Sequence, residues 1–184
     1  MKVKILSIIV IVLLSIQTFY AQILKVDSLT SKVIWQGTMD IGGHNGTIAI
    51  KEGFIEMKKG KLVGGKIIID MKGITIIDAD GTENEKHIIK EISGNQFFNV
   101  GTYSTAKFEI TENVAEMLTG NLTLNGITKP VKFKIITEKA EKKIIINSIL
   151  FPIDLLKWGL NFNNWFKGKN LGNALSIQVH IETN

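Results

Sequence analysis

Ala174 to Glu182 reads ALSIQVHIE. Leu175, Ile177, Val179 and Ile181 alternate with Ser176, Gln178, His180 and Glu182. In an extended chain successive side chains point to opposite faces, so this stretch carries one apolar face and one wet face. Ala106, Phe108 and Ile110 alternate in the same way, as do Leu118, Gly120, Leu122 and Leu124, and then Val131, Phe133 and Ile135. One apolar and one solvated face is the pattern of an antiparallel sheet wrapped on a core. The runs predict about eight strands, near 32–40, 46–57, 61–71, 104–112, 115–124, 130–138, 142–152 and 172–183. Eight strands close into a barrel whose interior is filled by side chains or holds one small ligand.

Turn chemistry separates the runs. Lys59-Gly60 lies between the second and third, and Asn125-Gly126 between the fifth and sixth, where the spacing suggests a hairpin loop longer than two residues. One stretch breaks the alternation. Gly81 to Phe98 reads GTENEKHIIKEISGNQFF, with Ile88, Ile89 and Ile92 at helical spacing. Thr82 with Glu85 resembles a capping box and Gly94 offers a stop, so a helix of about ten residues is expected between the third and fourth strands.

The first residues are a separate object. Met1 to Ala21 reads MKVKILSIIVIVLLSIQTFYA: two lysines, an apolar run from Ile5 to Ile16 and a small residue at Ala21. This is the plan of a secretory signal peptide, cleaved after Ala21, with a mature domain over residues 22–184. The run is short for a membrane span. The expected location is therefore periplasmic or secreted. Removing the leader takes away Lys2 and Lys4, and the formal charge falls from +5 to +3.

Composition removes several classes of function. There is no cysteine, which excludes disulfides, thiolate metal sites and a cysteine nucleophile. All 22 basic residues are lysines. Without the guanidinium fork, and with so small a net charge, a nucleic-acid partner is not expected. His44, His87 and His180 show no metal-ligand spacing. Gly42, Gly43 and Gly46 lack the Lys and Ser/Thr of a phosphate loop, and hairpin geometry accounts for them. Asp70, Asp78 and Asp80 read as a solvated turn, because no bidentate glutamate follows at calcium-loop spacing. No catalytic constellation, metal site or cofactor is expected.

The segments Gly120–Phe133, GNLTLNGITKPVKF, and Gln96–Phe108, QFFNVGTYSTAKF, resemble signatures of the YceI-like family. Val26-Asp27, Ser31 and Trp35 resemble its opening, and Asp154 with Trp158-Gly159 its late motif. The likeness runs in order over residues 24–183. It departs where Thr30, Glu91 and Asn125 stand in place of the family's frequent His, and Leu155 in place of its frequent Arg. The resemblance implies an eight-stranded, lipocalin-like antiparallel β-barrel with a helix over one end. It also implies an exported protein holding a polyisoprenoid or similar amphiphilic lipid in an apolar lumen.

Alternation nominates Trp35, Phe108, Leu122, Phe133, Ile146 and Phe151 as lumen residues. Trp158, Phe162 and Trp165, interleaved with asparagines in WGLNFNNWF, are candidates for a barrel mouth or for a plug at its base. Transient membrane contact and a homodimer are both compatible with this reading. The competing reading is an exported interaction or stress module whose barrel is a filled core. An enzyme on a hydrophobic substrate stands behind both, with no base or nucleophile to support it.

Overall fold

The computed structural model describes residues 21–39, 43–77, 83–160 and 171–184. The leader read from residues 1–21 lies almost wholly outside them, as does the Thr82 cap. The strands are β1 (Gln22–Lys25), β2 (Lys32–Met39), β3 (Gly43–Lys58), β4 (Lys61–Ile74), β5 (Thr105–Val114), β6 (Met117–Leu124), β7 (Ile127–Ala140), β8 (Lys143–Ser148), β9 (Phe151–Asp154) and β10 (Leu171–Glu182). Helix α1 (Glu83–Ser93) lies between β4 and β5, and a short 3-10 helix (Leu155–Trp158) follows β9.

Eight strands form a closed antiparallel ring in the order β3-β2-β10-β8-β7-β6-β5-β4, and the β3–β4 pairing closes it. With β1 and β9 appended to β3 and β10, the sheet has ten strands. The expected position of the helix holds, because β4 and β5 are the third and fourth strands of the ring. Gly94 N–H donates to the Glu91 carbonyl where the helix ends. Ile88, Ile89 and Ile92 pack on the core.

The alternation read from sequence is the burial pattern. In β6, Leu118, Gly120, Leu122 and Leu124 are all buried and the residues between them are half-exposed. In β3 the inward positions change parity, from Ile48 and Ile50 to Ile55 and Met57, across a bulge between Ile50 and Glu52. A bulge adds one residue, re-aims the side chains and tightens the bend that lets a 16-residue strand wrap a barrel.

Three elements differ from expectation. The Asn125-Gly126 loop has only two residues, with Leu124 paired directly to Ile127. Both loop residues sit at positive φ, +50° and +74°, as a type I′ hairpin demands. The short β1 adds a strand that its four residues do not announce. The run 142–152 is two strands, because the chain leaves the ladder after Ser148 and exposes Ile149 and Leu150 before β9 begins.

That last break shapes the barrel wall. β8 pairs with β7 over Ile135–Ala140, and β10 with β8 over His180–Glu182. Lower down, β9 takes over the pairing with β10 through Phe151↔Ile177 and Ile153↔Leu175. Among the described residues β9 forms no ladder with β7. The ring is therefore sealed by backbone all round at the level of β8. At the level of β9 it is open on one side.

Candidate functional site

The inward faces enclose an apolar cavity of about 80 Å³. Its lining is drawn from β2 to β10 and is aliphatic and aromatic except for Ser148. Phe108, Leu122, Phe133, Ile146 and Phe151 all line it. Phe133 stacks on Phe151, with ring centroids 4.2 Å apart and planes 4° from parallel. Phe108 lies 5.6 Å from Phe133 and completes an aromatic row. The row needs Gly120, because a Cβ there would run into the Phe108 ring.

Trp35 is buried but is not a lining residue. Its indole N–H reaches the Thr75 carbonyl, at 3.2 Å, and so ties β2 to the chain beyond β4. Gly46 is the reason it fits: any side chain there would collide with the Thr75 carbonyl and the Trp35 indole. Gly46 thus serves close packing inside β3 and not a turn. Sequence periodicity placed Trp35 on the inward face correctly, but periodicity carries no information about position along the barrel axis.

Trp158 is 1% exposed and does not line the cavity. Its Nε1 donates to the Leu122 carbonyl at 3.1 Å, and Asn125 Nδ2 donates to the Trp158 carbonyl at 3.5 Å. The 3-10 helix that carries it starts on Asp154, whose carboxylate accepts from Leu156 N–H, and stops at Gly159 with φ +72°. Trp158 is therefore tied to the β6 end of the β6–β7 hairpin, at the end of the barrel where Leu124 is also buried. Phe162 and Trp165 lie outside the described residues. At the opposite end Val26, Met57 and Ile144 are buried outside the cavity lining.

Ser148 is the polar exception, and sequence reasoning passed over it. It is 3% exposed, and its Oγ accepts from Val179 N–H at 2.8 Å. It supplies the partner that Val179 loses where β8 leaves the ladder. The Asn-Ser-Ile-Leu turn chemistry inside an apolar run was the available signal.

Among the described residues no titratable side chain lines the cavity. His180 bridges Asn147 Oδ1 at 2.7 Å and Glu182 Oε1 at 3.2 Å, and Lys143 lies 3.5 Å from Glu182. The His180 hydrogen bond holds the Glu182 carboxyl below its ordinary value; desolvation opposes it, and Lys143 adds to the lowering. His87 pairs with Glu91 on the exposed side of α1. Asp70 accepts from Lys72 N–H. Among the described residues no three His, Asp or Glu side chains come together to hold a metal.

An empty apolar cavity is a cost. At about 24 cal/mol per Å³ of void, 80 Å³ forfeits about 2 kcal/mol of packing. Such a space stays dry, because water there would have one hydroxyl partner instead of three. The chemistry it offers is solvation of a slim apolar chain.

Comparison with known proteins agrees with this architecture. BcnA of Burkholderia cenocepacia superposes with a TM-score of 0.67 at 18% identity, over 86% of this chain and 99% of that one. A polyisoprenoid-binding domain from Saccharophagus degradans, implicated in plant cell wall breakdown, gives 0.65 at 11% identity, over 90% and 99%. A UPF0312 protein of Pseudomonas paraeruginosa is 45% identical over 62 residues, 32% of this chain. One from Photorhabdus laumondii is 39% identical over 70 residues, 36% of this chain. The chain spans only 30% and 34% of the length of these two relatives. The YceI-like domain model matches residues 24–183. With that match covering most of its length, the chain belongs to the YceI-like domain family.

Proposed function

We propose that the protein is an exported carrier that holds a polyisoprenoid or similar amphiphilic lipid in its barrel, for storage or transport across the periplasm. The observation that carries the reading is the cavity itself: a lining from nearly every strand of the ring, apolar but for Ser148. Each buried CH₂ contributes about 0.8 kcal/mol, so roughly ten carbons give about 8 kcal/mol, near micromolar affinity. No catalytic step is part of this reading. The neighbour from Saccharophagus degradans, a polyisoprenoid-binding domain, supports the choice of lipid.

The cavity volume favours one alternative, a packed barrel that acts through its surface. An apolar cavity of about 150 Å³ accepts benzene, and 80 Å³ is smaller. A long chain therefore enters only if lining side chains move. Titration with a dansyl-labelled farnesyl probe separates the two readings. A carrier gives saturable, one-to-one enhancement of dansyl emission, and a packed barrel gives none. Export is tested by the mass of the protein isolated from its own cells, which should begin at Gln22.

A further inference from the structure

We propose that the gap between β7 and β9 is the side entrance to the cavity, and that its rim docks on an anionic membrane surface. The inference rests on the carrier reading and adds a route and a partner to it.

The gap follows from backbone register. Ile135 N–H donates to the Glu116 carbonyl on the β6 side, whereas the Lys134 carbonyl accepts from Ile149 N–H on the β8 side. Backbone groups alternate in direction along an antiparallel strand. Pro130 and Lys132 therefore direct their backbone toward β9, where no ladder exists. Proline is tolerated in a strand where its missing N–H faces an unpaired edge, and Pro130 sits in that position. The Ile149–Lys134 bond bounds the gap above, and the 3-10 helix, packed on β7, bounds it below.

Among the described residues, what fills the gap is side chain alone. Phe133, on β7, and Phe151, on β9, stack across it and also line the cavity. Val131 on β7 and Phe151 on β9 flank the gap, and both are half-buried lining residues of the cavity. Buried side chains close both barrel ends among the described residues. Rotating two aromatic rings opens this path without breaking a backbone hydrogen bond.

The rim has the composition of a membrane-facing surface. Ile149, Leu150 and Leu156 are 46%, 47% and 45% exposed. Exposed Lys132 and Lys157 stand on the flanking strand and helix, while Lys134 is paired to Glu116 at 3.7 Å. Exposed aliphatics enter the acyl boundary, and lysines beside them meet anionic headgroups.

The chain has no cysteine, so a Lys132→Cys, Pro152→Cys pair can be bridged cleanly by a short bis-maleimide. Both positions are exposed, and each is the chain neighbour of one ring of the Phe133–Phe151 stack, so the unbridged pair serves as its own control. The probe is dansyl-labelled farnesyl in vesicles of phosphatidylcholine with or without phosphatidylglycerol. Bridging should slow uptake about tenfold or more, as expected for a blocked gate, and should trap probe loaded beforehand. Uptake by the bridged protein at the unbridged rate overturns the entrance. Lys132→Glu with Lys157→Glu should slow transfer from phosphatidylglycerol vesicles about tenfold and leave phosphatidylcholine transfer unchanged. Transfer indifferent to phosphatidylglycerol, or to that double substitution, overturns the docking surface. If the unmodified protein takes up no probe even from detergent, the carrier reading itself fails, which is a separate result.

Discussion

Phe133 and Phe151 stack in parallel across the one interval of the barrel wall that has no backbone ladder among the described residues. Removing a phenylalanine from a filled core costs about 3–5 kcal/mol. Phe133 already borders a void and a gap, so Phe133→Ala should cost less than about 3 kcal/mol in urea denaturation. The same variant should lose most probe affinity. A full core-sized loss with affinity retained would identify a packed interior.

Gly120 makes room for the ring of Phe108. Gly120→Ala forces that ring toward the cavity, an overpacking cost of about 1–3 kcal/mol. Chemical denaturation should register it, and the double variant Gly120→Ala, Phe108→Leu should recover part of the loss. Absence of any recovery would separate the two positions.

Ser148 Oγ is the acceptor for Val179 N–H. Ser148→Ala leaves that buried donor unpaired, at about 1–3 kcal/mol. Hydrogen exchange should report it locally, as faster exchange of the Val179 amide with the β6–β7 hairpin unaffected. A Val179 amide exchanging at the wild-type rate would contradict the assignment.

Glu182 has its pKa lowered, chiefly by the hydrogen bond from His180 and secondarily by Lys143. A depressed carboxyl pKa stabilises the fold above the ordinary glutamate value, 4.5. That contribution is lost as pH falls through the lower folded value. Melting temperatures should therefore drop as pH falls from 4.5 through the lowered folded value, and Glu182→Gln should flatten the fall. An acid limb identical in the variant would remove Glu182 as its source.

Strand alternation at 106–110, 118–124, 131–135 and 175–181 was legible because one face of each strand is buried, and burial is what the pattern encodes. Phe108, Leu122, Phe133, Ile146 and Phe151 could be placed on that face for the same reason. The break after Ser148 was only faintly marked. Ile144–Ile153 is mostly apolar, and Asn147-Ser148 is its one turn signal before Pro152, with no glycine and no alternation to mark the departure. The early start of β7 was hidden by Pro130, which reads as a strand breaker until its edge is known to be unpaired. Trp35 was recognisable as an inward aromatic, and Trp158 as an aromatic of the barrel mouth or base. That each spends its indole N–H on a carbonyl distant in sequence, Thr75 and Leu122, is a tertiary fact with no local signal.

The central claim is that the barrel holds a lipid. Protein purified without detergent from its own cells should be extracted with organic solvent and the extract analysed by mass spectrometry. The account predicts a single class of prenyl or similar long-chain lipid approaching one molecule per protein, depleted in Phe133→Ala. Repeated extractions that return no lipid above the level of an unrelated protein purified in parallel would contradict it.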